Sequence, residues 1–286
     1  MKKQGVLLLG SNGMLGSMVK KVFELNGLEF DEMNHGDFDA RDGIIPDSFF
    51  NYEWIVNCVG MIKQVIDESD PKSVWGTILV NAEFPYRLHE TGAKVIQIAT
   101  DCVYDGLRGR YTETDPSDAL DVYGKTKSLG EVNADNFYNI RCSIIGPSDF
   151  SKVSLFEWFM GQPQKAQIKG YIDHMWNGVT TLHFAKLCLG IIQNKQEIPN
   201  LQHFVPADTV TKSQLLHKLA SVWDRIDVKI TDTKAAERID RSLATNDPVM
   251  NNVYWLLAGY KEPLMIDQML VELYEFMKEE EKTARL

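Results

Sequence analysis

Residues 5–16 read GVLLLGSNGMLG, and this stretch is the strongest indication of the fold. The short apolar run at 5–9 is typical of a strand that is buried on both faces of a parallel sheet. Glycines follow at positions 10, 13 and 16, and a helical apolar pattern then continues to about residue 26. A strand, a glycine-rich turn and a helix can cradle a pyrophosphate, because glycine lets the backbone approach closely and a helix N-terminus attracts anions.

This turn therefore predicts a dinucleotide site. Its spacing is G-x-x-G-x-x-G, which differs from the usual G-x-G-x-x-G fingerprint. A turn that merely packs the helix on the strand remains the alternative interpretation. The cofactor contacts predicted here are Gly10, Asn12, Gly13, Met14 and Leu15.

The second predicted strand, residues 28–33, bears on which dinucleotide would bind. NAD-binding folds of this kind carry an acidic residue about 20 residues after the first glycine. Asp31 and Glu32 lie near that position, but the strand is predicted to end at residues 33–35, which carry no carboxylate. His35 or Arg41 could meet a 2′-phosphate, so the sequence favours NADP(H) over NAD(H). Asp37 and Phe38 are predicted to border the adenine, although a solvated acidic loop explains them equally well.

Two more apolar runs, residues 54–59 and 94–99, predict buried strands that lead to Gly60 and Thr100. Ligands of open α/β sheets bind at the carboxyl ends of the strands. The glycine turn, Gly60 and Thr100 should therefore converge on one edge of the sheet. Further cofactor contacts predicted at this edge are Val59, Gly60 and Ala99.

Tyr123 and Lys127 lie four residues apart at the start of a helix-like run, so they share one helical face. A nearby ammonium favours a phenolate and lowers the pKa of a tyrosine from its usual value of about 10. Together with Thr100, this pair could move a proton to or from an oxygen. Tyr274 and Lys278 repeat the spacing, but no strand-end hydroxyl precedes them, and their amphipathic surroundings indicate packing.

The composition indicates a globular protein of 286 residues with 44% hydrophobic and 24% charged residues. A net charge of −10 argues against nucleic acid or an anionic membrane as partner. The four cysteines form no CxxC pair, which favours a reducing, cytoplasmic location. No apolar run approaches the roughly 18 residues of a membrane span. His174 is an isolated histidine in its segment, so no metal site is predicted.

Six motifs occur in an order and spacing that resemble the extended short-chain dehydrogenase/reductase family. The match is closest to its sugar-nucleotide 4-ketoreductase branch, that of dTDP-4-dehydrorhamnose reductase. The motifs are GSNGMLG (10–16), NCVG (57–60), VNAEFP (80–85), ATDCVYDG (99–106), YGKTKSLGE (123–131) and NIRCSIIGP (139–147).

The resemblance implies an α/β fold, a Rossmann-like doubly wound parallel sheet with a smaller C-terminal α/β substrate domain. Residues 1–148 would form the dinucleotide-binding domain, to which 179–206 would return. Residues 149–178 and 207–286 would form the substrate domain.

The resemblance also implies an NAD(P)H-dependent oxidoreductase of deoxysugar or polysaccharide biosynthesis, acting on the 4-keto group of a nucleotide-diphosphate 4-keto-6-deoxy sugar. Tyr123 would donate the proton. Lys127 would activate Tyr123 and hold the nicotinamide ribose, and Thr100 would polarise the substrate carbonyl. A homodimer is the implied assembly. The predicted substrate contacts are Thr100, Asp101, Cys102, Trp158 and Trp176, the two tryptophans being equally compatible with core packing.

Departures from the branch keep alternatives open. Where the branch often reads STDYVFDG, this chain has Ala99, Cys102 and Tyr104. The missing glutamate after Asp101 disfavours 4,6-dehydration. A nucleotide-sugar epimerase and a non-catalytic NADP-binding regulatory subunit remain alternatives, and residues 173–181 match the branch too loosely to identify the sugar.

Four further structural expectations come from the pattern. Residues 71–90 form a long helix interrupted by Pro85, within which Asn81 tethers a loop backbone. Residues 170–178 form a loop. Arg238 and Arg241 could meet a diphosphate or lie exposed.

Overall fold

The computed structural model describes residues 5–148 and 152–283. Its strands, in chain order, are β1 (Val6–Leu9), β2 (Asp31–Met33), β3 (Trp54–Asn57), β4 (Lys94–Ala99), β5 (Phe137–Arg141), β6 (Ile144–Ile145), β7 (Gln167–Tyr171), β8 (His174–Trp176), β9 (Val179–Thr180), β10 (Leu201–His203), β11 (Val210–Thr211), β12 (Lys229–Thr233) and β13 (Ile239–Asp240). Its α-helices are α1 (Met14–Leu25), α2 (Pro71–Ile78), α3 (Phe84–Glu90), α4 (Val122–Leu129), α5 (Leu155–Met160), α6 (Thr181–Asn194), α7 (Lys212–Val222), α8 (Pro248–Leu257) and α9 (Ile266–Thr283). None of the helices within these two ranges is long and apolar enough to cross a membrane.

The central sheet has six strands in the order β10-β5-β4-β3-β1-β2, and every pair is parallel. All four residues of β1 are buried, because helices cover both faces of the sheet. The predicted doubly wound α/β fold is confirmed. The strand order reverses between β1 and β3, and this switch point is where such sheets bind ligands.

The helical stretch at 71–90 contains a π-helical turn, Leu79–Glu83, between α2 and α3. The turn lies just before Pro85, which has no N–H to donate to a regular helix. Asn81 lies within it and tethers the loop after β3, as predicted: its Oδ1 accepts from the Met61 N–H at 2.8 Å and its Nδ2 donates to the Met61 carbonyl at 2.9 Å.

The expectation of a loop at 170–178 is wrong. The segment contains the end of β7 and all of β8, which pair with strands distant in sequence. Ile168 of β7 pairs with Ile230 of β12, and β8 lies between β11 and β13. The glycines and aspartate of GYIDHMWNG suggest a turn locally, but non-local pairing decides the conformation.

The chain returns to the central sheet after β9. Strand β10 pairs with β5 at the sheet edge, and α6 packs against α1. Residues of the segment 179–206 thus contact the central sheet and its helix α1. The division of the chain into two domains stays a prediction. Residues 1–4 of the first predicted domain, and 149–151 and 284–286 of the second, lie outside the described residues.

Candidate active site

A cavity of about 600 Å³ lies at the carboxyl ends of β1, β3 and β4. On one side it is lined by the start of α1, by the loop after β3 and by residues that follow β4. Residues from the C-terminal region, among them Trp176, Lys212 and Arg241, also line it. The predicted site residues that line it are Gly13, Met14, Leu15, Val59, Gly60, Ala99, Thr100, Asp101, Cys102, Tyr123, Lys127 and Trp176.

The glycine turn brings α1 close to the strand that precedes it. Gly10 has φ +77°, a conformation that favours glycine, and its carbonyl accepts from the Gly13 N–H at 2.9 Å. A Cβ on Gly16 would lie 2.0 Å from the Gly10 carbonyl oxygen, so no larger residue fits there. Gly13 caps α1 without a side-chain hydrogen bond, which leaves first-turn amides for an anionic group. This turn fits the pyrophosphate of a dinucleotide.

Asn34, which follows β2, fixes the glycine turn in place. Its Oδ1 accepts from the Asn12 N–H at 3.0 Å and from the Ser11 hydroxyl at 3.1 Å. Asp37 in turn accepts from the Asn34 N–H at 2.8 Å. The role of Asn34 was not predicted, because it depends on the spatial neighbourhood of β1 and β2 rather than on a local motif.

The other residues near β2 for which a cofactor contact was predicted are not among the described residues that line the cavity. They are His35, Asp37, Phe38 and Arg41. Phe38 packs between Phe49 and Phe84, with ring centroids 5.4 and 5.6 Å away. Arg41 donates through Nε to Asp39 at 2.9 Å. This hydrogen bond is the main reason why the pKa of Asp39 is lowered to about 2. The His35 side chain is 75% exposed. Arg41 would therefore have to leave Asp39 before it met a 2′-phosphate.

Helix α4 presents Tyr123 and Lys127 towards the cavity. It begins at Val122, where Asp121 accepts from the Gly124 N–H at 2.7 Å as an N-cap. Thr100 follows β4, and its hydroxyl accepts from the Cys102 N–H at 3.1 Å. Lys127 donates through Nζ to the carbonyl oxygen of Ile98 at 2.8 Å. The strand end and the helix start thus bring the three predicted catalytic residues to one cavity.

The electrostatics of this group differ from the sequence expectation. Burial raises the pKa of Tyr123, nearby Asp101 and Asp121 act in the same direction, and the Thr100 hydroxyl opposes them. Burial also lowers the pKa of Lys127 to about 8. The expected lowering of the Tyr123 pKa by Lys127 is therefore not present, because the lysine ammonium is directed at a backbone carbonyl. At pH 7 the phenol is protonated and the lysine is mostly charged.

The predicted substrate residues separate into two groups. Asp101 and Cys102 line the cavity beside Thr100, and burial raises the pKa of Asp101 and that of Cys102, the latter to about 12. Trp176 is buried, lines the cavity and donates from its ring N–H to the Ser143 hydroxyl at 2.9 Å. Trp158 is 42% exposed on α5 and is not among the described residues that line the cavity.

Two cations that line the cavity come from the C-terminal region. The Arg241 guanidinium donates through Nε to the Tyr104 carbonyl oxygen at 2.8 Å. Lys212, the first residue of α7, was not predicted. No local motif marks it, because its position depends on how β8 and β11 pack.

The second Tyr–Lys pair behaves as predicted for packing. The Tyr274 ring packs edge-on against Trp223 at 5.6 Å, and the Lys278 ammonium lies 5.5 Å from the Tyr274 ring centroid. Within residues 5–148 and 152–283, no group of three or more His, Cys, Asp or Glu side chains is placed to hold a metal ion.

The fold and this cavity define a class: a Rossmann-like α/β protein with a nucleotide-type glycine turn and a Thr–Tyr–Lys group at the same sheet edge. The family model described as the RmlD substrate binding domain matches residues 3–212. The chain belongs to this family.

Known proteins of two kinds are similar to this chain. The rat methionine adenosyltransferase 2 subunit beta is 30% identical over 139 residues, 44% of this chain and 41% of that protein. The dTDP-4-dehydrorhamnose reductase of Aggregatibacter actinomycetemcomitans is 31% identical over 137 residues, 44% of this chain and 45% of that one. The alignments thus span less than half the length of these two relatives.

A solved structure extends the likeness over nearly the whole fold. The dTDP-4-dehydrorhamnose reductase of Bacillus anthracis, solved in complex with NADP, has a TM-score of 0.73 at 16% identity. The match covers 96% of this chain and 99% of that chain. At this identity the likeness establishes the fold.

Proposed function

We propose that this protein is an NAD(P)H-dependent oxidoreductase that reduces the 4-keto group of a nucleotide-diphosphate 4-keto-6-deoxy sugar, in deoxysugar or polysaccharide biosynthesis. One observation carries the proposal: Thr100, Tyr123 and Lys127 line the same cavity as the start of α1. Family membership and the 31% identity to a dTDP-4-dehydrorhamnose reductase support it.

A nicotinamide cofactor would supply a hydride to the ketone carbon. The backbone of Gly10, Asn12, Gly13, Met14 and Leu15 would hold its pyrophosphate at the N-terminus of α1. Val59, Gly60 and Ala99 would border the nicotinamide half, and Asp37 and Phe38 the adenine half. We propose NADP(H) as the preferred form, because Asn34, the residue that follows β2, carries no carboxylate and His35 is exposed.

The protein's own groups would manage the charge that develops on the substrate oxygen. The raised pKa of Tyr123 keeps its phenol protonated at pH 7, as a proton donor in the reducing direction requires. Thr100 would donate a second hydrogen bond to the developing alkoxide. Lys127 would hold the nicotinamide ribose, and it would stabilise the phenolate that remains after proton transfer only if its ammonium left the Ile98 carbonyl.

The remaining parts of the proposal concern substrate, assembly and location. Asp101, Cys102 and Trp176 would contact the nucleotide sugar, and Trp158, which is exposed, would do so only through a movement of α5. We propose the two-domain division given above, a homodimer and a cytoplasmic location. All four cysteines are free thiols, as a reducing compartment maintains them.

The decisive experiment follows the absorbance of the reduced nicotinamide. The protein is mixed with 4-keto-6-deoxy sugars on dTDP, UDP and GDP, each with NADPH and with NADH. Oxidation with one sugar would identify the substrate and the preferred cofactor together. The absence of oxidation across the panel, in a preparation that still binds cofactor, would contradict the reductase proposal. Product formed without net NADPH consumption would identify an epimerase instead.

A second candidate function has a specific observation in its favour. The relative at 30% identity is, by its name, a subunit of another enzyme, methionine adenosyltransferase 2. This chain could likewise be a cofactor-binding regulatory subunit. Stable co-elution with a methionine adenosyltransferase in size-exclusion chromatography, together with a changed rate of that enzyme, would favour this function. The proton donor Tyr123 favours the reductase, because regulation by binding alone needs no such group.

A further inference from the structure

We propose that Lys212 and Asp101 together bind a hydroxyl group of the substrate sugar, and that this pair selects which sugar the cavity accepts. The identity of the ligand as a nucleotide sugar rests on the proposed function. The contact of Lys212 and Asp101 with the sugar can be tested by measuring binding affinity, without measuring turnover.

The two residues come from distant parts of the chain. Asp101 begins the short 3-10 turn Asp101–Val103 directly after Thr100, and Lys212 begins α7 in the C-terminal region. Both line the cavity. The Lys212 ammonium lies 5.8 Å from the ring centroid of Trp176, whose ring N–H is bonded to Ser143. The Lys212 ammonium therefore lies beside an aromatic ring that a hydrogen bond orients.

The two charges line one cavity without forming an ion pair with each other. Each influences the other electrostatically: Lys212 opposes the effect of burial on the pKa of Asp101, and Asp101 opposes the effect of burial on the pKa of Lys212. Yet among the described residues neither group has an ion-pair partner within 4.0 Å. The Asp101 carboxylate contacts the Thr100 hydroxyl at 3.3 Å and the Cys102 thiol at 3.6 Å.

Buried charges are normally paired, because isolation from water is costly. An ammonium and a carboxylate that share a cavity but do not meet can be satisfied by a group that fits between them. Such a group must accept a hydrogen bond from the ammonium and donate one to the carboxylate. A hydroxyl does both. A sugar ring carries several hydroxyls and is the corresponding ligand class.

A phosphate fits this pair less well. An anion placed at Lys212 would also meet the negative charge of Asp101. Arg241 is the neighbouring cation, and its guanidinium is partly occupied by the carbonyls of Tyr104 and Asp105, at 2.8 and 3.3 Å. The Asp101–Lys212 pair is neutral overall, and this suits an uncharged, hydroxylated ring.

Calorimetric titration with four unreactive probes tests the pair: dTDP, dTDP-glucose, UDP and UDP-glucose. The ratio of the nucleotide-sugar affinity to the nucleotide affinity isolates the contribution of the sugar. We expect Lys212→Met and Asp101→Asn to lower nucleotide-sugar affinity by about 10- to 100-fold, as for loss of a hydrogen bond to a charged group. Nucleotide affinity should stay within about twofold.

Lys218→Met is the matched control, because Lys218 lies on the same helix and pairs with Asp267 at 2.6 Å outside the cavity. It should leave all four affinities unchanged. Lys212→Gln provides a second variant if Lys212→Met does not show the thermal transition of the wild type.

Three results would overturn the inference: a wild-type protein that gains no affinity from the sugar, variants that keep the gain, or variants that lose nucleotide and nucleotide-sugar affinity equally. The last result would assign Lys212 to the diphosphate. Failure of the reductase assay with an intact, Lys212-dependent sugar contribution would reject the proposed reaction and leave the binding site standing.

Discussion

Two groups of ionisable side chains in this protein differ in how closely their charges are paired. In the cavity, Tyr123, Lys127, Asp101 and Lys212 each have a pKa shifted towards the neutral form, and burial is the largest cause in every case. The second group joins α6 to α9. There the pKa of Glu272 is lowered to about 2, which favours its charged form, although burial acts to raise it.

The difference lies in the partners. Glu272 accepts from the Tyr260 hydroxyl at 2.7 Å, pairs with Lys186 and lies 3.3 Å from His183 Nε2. The cavity groups instead line space that a ligand can fill, and none of the four has an ion-pair partner within 4.0 Å among the described residues. Close pairing of the Glu272 carboxylate stabilises the fold, whereas unpaired charges at a cavity leave groups whose charge state a ligand can change. This contrast predicts which substitutions affect activity and which affect stability.

The largest expected effect is on turnover. Tyr123→Phe should lower kcat by about 10²- to 10⁴-fold, because it removes the proton donor while leaving the ring in place. Cofactor affinity, measured by fluorescence titration, should be unchanged. Tyr274→Phe is the matched control and should retain full turnover. Equal rates for the wild type and Tyr123→Phe would remove Tyr123 from the mechanism.

Glu272→Gln should lower the free energy of unfolding by about 1–3 kcal/mol at pH 7, since it breaks a partly exposed, charge-assisted network. Because the pKa of Glu272 is lowered in the folded state, its contribution is present above the unfolded pKa of about 4.5 and is lost as the pH falls towards 2. Urea unfolding at several pH values measures both effects. Glu275→Gln, exposed on the same helix, is the control. A pH-independent difference would contradict the interpretation.

Lys127→Met should change the free energy of unfolding in the opposite direction to Glu272→Gln. The folded-state pKa of about 8 lies below the ordinary 10.5, so the unfolded chain binds more protons between these values. The buried charge therefore destabilises the fold below pH 8, and this penalty disappears as the pH rises from 8 to 10.5.

Removing the charge should raise the free energy of unfolding at pH 7 by on the order of 1–2 kcal/mol, after allowance for the lost hydrogen bond to Ile98. Turnover should fall. Lys125→Met, exposed on the same helix, is the control for urea unfolding. A clear loss of stability in Lys127→Met would mean that the native environment compensates the charge fully.

The smallest expected effect concerns an exposed pair. Asp39→Asn should release Arg41 and raise NADPH affinity by up to about threefold, because exposed ion pairs contribute little. NADH affinity should not change, and Asp42→Asn should alter neither. Equal gains for both cofactors would exclude a role for Arg41 at the 2′-phosphate.

The predictable parts of the molecule are those that short-range pattern controls. The run GVLLLGSNGMLG by itself determined a buried strand, a tight turn and a helix, because each depends on neighbours within a few residues. The positions of Thr100, Tyr123 and Lys127 at one sheet edge followed from the parallel arrangement that such units impose. The polar contact of Asn81 was also predictable, although its partner, Met61, was not.

Tertiary structure decided the rest. Strands β7 and β8 exist because of partners more than 30 residues away, so their glycines misled a local interpretation. Lys212 reaches the cavity because β8, β11 and α7 pack around it. Burial and the nearby carboxylates raise the pKa of Tyr123, whereas Lys127, which was expected to lower it, donates to the Ile98 carbonyl. The spacing of Tyr123 and Lys127 in the sequence places them on one face of a helix. How deeply each side chain is buried, and which acceptor the lysine meets, is decided by the folded chain.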